Sequence, residues 1–346
     1  MRPLNPLLTL LALPLTATTH PTSQTPPTSP QTTTTTTTTI NTTTELRPLP
    51  LVIWHGLGDN YLNPSLQSLI TLAEKTNPGT YTHLIHLSSS SSADRQATFL
   101  GNLTTQITQI CDQIASDPIL STAPAINALG FSQGGQFLRG YIERCNSPPV
   151  HNLVTLGSQH NGISQFQACE WTDLICRGSE ALLRSSRWSP FVQGRLIPAQ
   201  YFRDSSNEEE MEAYLENSNF LADINNERTV KNATYKEHLG MLNAFVMYMF
   251  EKDRMVHPKE SSWFGEVDGK GEVVELRDRE VYKEDWLGLK GLDERGGLVF
   301  RTLEGGHMDV GEEVLEDIFE EWFGDVEVEF DQLGVGRRVL VNQEGM

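Results

Sequence analysis

"NALGFSQGGQFLRGYIERCN" occupies residues 127–146. A short apolar run ends in Gly130-Phe131-Ser132-Gln133-Gly134 and passes at once into an amphipathic pattern carried by Phe137, Leu138, Tyr141 and Ile142. That is how a buried strand turns directly into a helix. A serine in such a turn is lifted above the sheet, and small residues two positions to either side let neighbouring backbone pass close by. The helix N-terminus behind it favours negative charge developing in front of the hydroxyl. The pentapeptide alone arises often by chance. With a strand before it and a helix after it, Ser132 becomes a candidate nucleophile.

The alternation continues on both sides. Residues 49–55 (LPLVIWH) read as a buried parallel strand, 64–76 as a helix and 82–87 as a second short strand. Phe99, Leu103, Ile107, Ile110 and Ile114 recur at helical spacing. Strands are expected at 126–131 and 152–156, then at 244–250 and 297–303, with a last helix over 312–323. Between about 159 and 235 the chain has turns, aromatic residues and short helical pieces but no strand pattern. The whole predicts an α/β architecture: a mostly parallel central sheet flanked by helices, with a mainly helical insertion over its carboxyl edge.

A serine hydroxyl needs a neighbouring base. In a sheet of this kind the acid and the base follow the nucleophile in that order, on loops after later strands. Asp253 lies just past the strand at 244–250, and His307 just past the strand at 297–303 in Glu304-Gly305-Gly306-His307. Each alone would be an ordinary loop residue; in the right order after the right strands they support each other. His257 would share the loop of Asp253, and the remaining histidines precede the acid. Two backbone N–H donors are also needed for the oxyanion. Gln133 follows the nucleophile, and Leu57 sits between glycines in His55-Gly56-Leu57-Gly58-Asp59.

Composition bounds the function. The chain has 346 residues, with 26 Lys+Arg against 45 Asp+Glu and a net charge of −19, and it contains no basic stripe, so nucleic acid is not an expected partner. Residues 1–19 read as a signal peptide, too short to span a bilayer, which places the protein in the secretory pathway: lysosome, vacuole or exterior. Residues 20–47, with eight consecutive threonines at 32–39, read as a disordered leader open to O-glycosylation. No transmembrane segment is expected. The catalytic domain is expected over 48–324, and 325–346 form an acidic tail with no derived role. Cys111, Cys145, Cys169 and Cys176 allow three pairings; local closure favours Cys169–Cys176 and leaves Cys111–Cys145. Asn102 and Asn232 head glycosylation sequons, as does Asn41. No Cys-x-x-Cys spacing is present, and neither metal nor cofactor is expected.

The stretches PLPLVIWHGLGDN (48–60), GFSQGGQFLRGYIERCNSPPVHNLVTLGSQHNGI (130–163), FLADINNE (220–227), DRMVHPKESSWFG (253–265) and YKEDWLGLKGLDERGGLVF (282–300) resemble the palmitoyl-protein thioesterase family, lysosomal type 1. The resemblance covers about 48–324. It implies an α/β-hydrolase that removes thioester-linked fatty acyl groups, chiefly palmitoyl, from cysteines of proteins. Carried over, the nucleophile falls on Ser132, the acid on Asp253, the base on His307 and the oxyanion donors on Leu57 and Gln133. A glycosylated sequon falls on Asn232, and the disulfides on Cys111–Cys145 and Cys169–Cys176. Where the family can carry an adjacent cysteine pair this chain has Asn60-Tyr61, and Leu57 stands where methionine is often found.

S-palmitoylated proteins or peptides and long-chain acyl thioesters are the expected partners. Their acyl chain needs an apolar groove, for which Trp171, Leu182, Leu183, Trp188, Phe191 and Phe202 of the insertion are candidates. A carboxylester hydrolase or lipase would use the same machinery, and a non-catalytic lipid-binding module could keep the fold.

Overall fold

Leu51, Val52, Ile53 and Trp54 are all buried, and the pleat sends alternate side chains into different cores. Val52 and Trp54 pack with Ile107, Ile110, Phe137 and Tyr141, whereas Leu51 and Ile53 pack with Leu66, Leu69 and Phe319. A strand buried on both faces has to be apolar without a break, which is why 49–55 shows no alternation.

The computed structural model describes residues 43–166, 181–330 and 336–340. In chain order its strands are β1 (Thr43–Arg47), β2 (Leu51–Trp54), β3 (Thr82–Leu84), β4 (Ile126–Phe131), β5 (Val150–Leu156), β6 (Ala244–Phe250), β7 (Glu266–Val267), β8 (Val273–Val274), β9 (Leu298–Leu303), β10 (Val326–Phe330) and β11 (Gly336–Leu340). Six of them form one sheet in the order β3-β2-β4-β5-β6-β9, every pair parallel. Four helices precede the insertion: α1 (Pro64–Thr76), α2 (Ser91–Ala97), α3 (Leu103–Ser116) and α4 (Gln133–Arg144). The helix α1 and the helix Glu312–Phe323 cover one face of the sheet; α3 and α4 cover the other. The architecture is the expected one: a parallel sheet covered by helices on both faces.

Local chemistry sets the boundaries. Pro64 opens α1, where its missing N–H costs nothing, and Asn63 accepts the Ser65 N–H at 3.0 Å. The helical stripe expected to begin at Phe99 begins at Leu103 instead. Gly101 has φ +147°, outside helical range, and Asn102 caps α3. Phe99 is left 40% exposed beside the site described below. A disulfide joins Cys111 on α3 to Cys145 after α4, with Cα atoms 6.2 Å apart. The expected Cys169–Cys176 pair lies outside the described residues.

After β5 the described insertion carries short helices, among them Pro190–Gln193, Ile197–Gln200, Glu208–Asn217, Leu221–Ile224 and Ala233–Gly240, with residues 181–186 helical as well. A buried ion network fastens it to the connection between β6 and β9. Arg203 pairs with Glu227 at 2.9 Å and Glu266 at 2.7 Å, and Arg279 meets the same carboxylates at 3.3 and 3.1 Å. Charges this deep are tolerated because they are paired, and the pairing fixes one geometry.

The leader and tail depart from expectation. Thr43–Arg47, read as part of a disordered leader, pair antiparallel with Val326–Phe330, which pair in turn with Gly336–Leu340. Val328 and Phe330 close a small core with Leu49 and Ala125, just before β2 and β4, at the end of the sheet opposite Ser132. The boundaries drawn at 47 and 324 therefore fall inside a paired unit. All five residues of β1 are exposed, so backbone hydrogen bonds and the Arg47 guanidinium, 5.2 Å from the Phe330 ring centre, hold it in place, and no apolar pattern announces such a strand.

A second buried charge has a pH consequence. Burial pushes the Glu143 carboxyl well up, against the pull of Arg139 at 3.1 Å. Arg139 has neutral partners too, donating to Asn225 Oδ1 at 2.7 Å and to the His160 and Ile224 carbonyls. A carboxyl raised on folding binds protons more tightly in the native state. Its stabilising contribution is complete below the ordinary carboxylate range and is lost as pH rises through the raised value. Urea midpoints at pH 5 and pH 8 should differ more in the native chain than in Glu143→Gln.

Candidate active site

The turn at Ser132 requires close approach. A Cβ on Gly134 would collide with the Trp54 and His55 carbonyls, and one on Gly130 with the Gly135 backbone. Ser132 has φ +52°, sparsely populated for a residue with a side chain, and its N–H donates to the Leu156 carbonyl at 2.8 Å. It occupies the N-cap of α4, where a serine ordinarily accepts a backbone N–H, yet it makes no capping bond. Its hydroxyl turns to His307 instead.

His307 Nε2 lies 2.9 Å from Ser132 Oγ, and His307 Nδ1 lies 2.7 Å from Asp253 Oδ2. A carboxylate only accepts, so Nδ1–H donates to it, and Nε2 is left to accept the serine O–H. Asp253 is buried and further fixed, since its Oδ1 accepts the Met255 and Val256 N–H groups at 2.8 and 3.0 Å. The loops after β6 and β9 are joined by Lys252 N–H donating to the Gly305 carbonyl at 2.9 Å. The three residues named from chain order thus meet in one hydrogen-bonded line. Such a line can take a proton from an alcohol and return it to a leaving group.

The two expected oxyanion donors flank it. Gln133 is the first residue of α4, so its N–H has no intrahelical acceptor. Gly56, just before Leu57, would place a Cβ 3.2 Å from Ser132 Cβ. Neither donor position floats, because α2 and Thr98 hold both. Asp94, fully buried, accepts from His55 Nε2 at 3.1 Å and from the Tyr61 and Leu87 N–H groups at 3.0 and 2.7 Å. Burial pushes its carboxyl up, but these three donors outweigh burial and hold it below the usual carboxylate range. Thr98 accepts the Gly58 N–H on its hydroxyl at 2.9 Å and Gln133 Nε2 on its carbonyl at 3.3 Å. Sequence reasoning missed Asp94 and Thr98, and no local pattern marks either.

Around Ser132 and His307 opens a cavity of about 1060 Å³. Its insertion-side wall includes Ile163, Phe166, Leu183, Pro198 and Tyr201. Of the six residues expected to form the groove, Leu183 lines it. Phe202 is buried between Phe166 and Trp188, and Trp188 packs on Phe202 and Tyr214. Phe191 and Leu182 are 57% and 42% exposed and do not line the cavity. Trp171 lies outside the described residues. Aromatic character alone could not separate the insertion's own core and surface from the cavity wall.

A family model described as palmitoyl protein thioesterase matches residues 50–307. Palmitoyl-protein thioesterase 1 of Caenorhabditis elegans is 40% identical over 293 residues, covering 82% of this chain and 95% of that protein. The chain belongs to the palmitoyl protein thioesterase family. Palmitoyl-protein thioesterase 3 of Dictyostelium discoideum is 34% identical over 264 residues, covering 75% of this chain and 85% of that protein. Lysosomal thioesterase PPT2 of Homo sapiens is 28% identical over 253 residues, covering 72% and 78%.

In this thioesterase-family chain Tyr61 stands where the resemblance places a cysteine, and its N–H bond to Asp94 secures the same turn. Asp94→Asn removes one of the acceptors from that turn. With Ser132, His307 and the cavity wall untouched, kcat should fall tenfold to about a hundredfold while KM changes little, the pattern of a displaced transition-state donor. Steady-state kinetics on a palmitoyl thioester measures the split.

Proposed function

We propose that this chain hydrolyses thioester-linked long-chain acyl groups, palmitoyl foremost, from cysteines of proteins or peptides. The observation that carries the proposal is the Ser132–His307–Asp253 line opening into a large cavity with an apolar wall. Ser132 Oγ attacks the thioester carbonyl carbon as His307 Nε2 takes its proton, and Asp253 stabilises the imidazolium. Leu57 and Gln133 N–H groups hold the oxyanion. The C–S bond breaks, the thiolate takes the proton from Nε2, and palmitoyl remains on Ser132 as an ester. Water then attacks that ester with His307 as base, releasing palmitate and restoring the serine.

A thiol of pKa about 8.5 leaves far more readily than an amine. Binding of the acyl chain draws about 0.8 kcal/mol from each CH₂ taken out of water, so an apolar wall distinguishes long chains from short ones. Parallel assays of a palmitoyl thioester and a matched palmitoyl oxygen ester test the assignment. Faster hydrolysis of the thioester supports it; hydrolysis of the oxygen ester alone assigns the chain to the carboxylester hydrolases.

Among the described residues no helix is long and apolar enough to cross a membrane. The signal-like start and the lysosomal name of one relative support a secretory or lysosomal destination. Glycosylation at Asn102 and Asn232 is compatible with the local structure. Both are helix N-caps that use Oδ1, accepting the Thr105 and Thr234 N–H groups at 3.2 and 3.0 Å, and a glycan on Nδ2 leaves that oxygen free to cap.

A further inference from the structure

The cavity has a second wall. Besides the insertion side it is lined by Leu66 and Leu69 of α1, Phe131, Met308, Val310 and Leu315. These belong to, or pack against, the core under α1 and the helix Glu312–Phe323. Ile163 and Tyr201 of the insertion wall belong to the core on the opposite face of the sheet. The cavity therefore runs across the carboxyl edge of the sheet, over Ser132, with an apolar arm on either side.

Proton transfer decides which arm receives which half of the substrate. The leaving sulfur must collect its proton from His307 Nε2, 2.9 Å from the nucleophilic oxygen, so it departs on the imidazole's side. Met308 and Val310 continue the chain directly from His307 and line the second arm. The acyl chain is then directed to the insertion arm. The six residues named for the second arm are all apolar, and Asp59, one of the ionisable groups that line the cavity beside Arg95, already accepts the Asn60 N–H and Asn63 Nδ2 at 2.8 and 2.7 Å.

We infer that the arm formed by Leu66, Leu69, Phe131, Met308, Val310 and Leu315 is a leaving-group subsite, which takes an apolar side chain next to the acylated cysteine. The inference rests on the thioesterase assignment and adds selectivity to it: peptides with leucine beside the S-palmitoyl cysteine are better substrates than peptides with a polar residue of similar size there.

Three substrates test it: an S-palmitoyl peptide with leucine on both sides of the cysteine, the same peptide with asparagine on both sides, and S-palmitoyl mercaptoethanol, which has no flanking residue. Leucine and asparagine carry no charge, so the acidity of the protein does not enter the comparison. The native chain should prefer the leucine peptide by about tenfold in kcat/KM, the discrimination that a methylene or two achieves in an apolar pocket. Leu315→Asn should reduce that ratio to about twofold and leave turnover of the mercaptoethanol ester, which also reports folding, nearly unchanged. Equal kcat/KM for the two peptides in the native chain overturns the subsite alone. So does a Leu315→Asn chain that turns over the mercaptoethanol ester normally and keeps the full leucine preference. Failure to hydrolyse any of the three overturns the thioesterase assignment and the subsite with it.

Discussion

Ser132→Ala should lower kcat/KM for a palmitoyl thioester by about five to six orders of magnitude, leaving only what oxyanion contacts and binding supply without a nucleophile. The loss is this large because Ser132 forms the covalent bond in the proposed pathway and, among the described residues, no second hydroxyl is bonded to His307 Nε2 to replace it. Folding should survive. Alanine meets the same positive φ of 52° that serine already tolerates, and the serine hydroxyl makes no capping bond to lose. A thermal melt close to that of the native chain, with thiol release at background, is the expected pair of readings. Hydrolysis at the native rate would end the proposed mechanism.

The second large effect comes from Asp253→Asn. Oδ1 of this residue accepts two backbone N–H groups, from Met255 and Val256. An asparagine must keep its carbonyl oxygen there, which turns its NH₂ toward His307 Nδ1. The imidazole then carries its proton on Nε2 and can no longer accept one from Ser132, although all three side chains stay in place. A fall in kcat of about 10⁴ is expected with little change in KM, measured on the same thioester.

What could be seen in the sequence follows from how local each constraint is. The turn at Ser132 is written in five consecutive residues because Gly130 and Gly134 must be bare for backbone to pass. Asp253 and His307 were visible through their order, each on the loop that ends an apolar strand. Strands buried on both faces and helices with one apolar stripe gave the sheet and its covering. Asp94 was not visible. Its partners His55, Tyr61 and Leu87 are 39, 33 and 7 residues away, and a single acid in a polar helix carries no sign of them. Nor was the sheet of β1, β10 and β11, whose first strand exposes every side chain. The cavity wall was the hardest part: Phe99 looked like the start of a helical stripe, and Phe202 and Trp188 looked as suited to a groove as Leu183.

Trapping distinguishes Ser132 as the nucleophile of an acyl-enzyme pathway from every other residue. The native chain is treated with a long-chain alkyl fluorophosphonate, digested and sequenced by mass spectrometry. One adduct per chain is expected, on Ser132, absent from Ser132→Ala and formed at least a hundredfold more slowly in Asp253→Asn. An adduct on any other residue, or full thioesterase activity in chains that form none, would contradict that role.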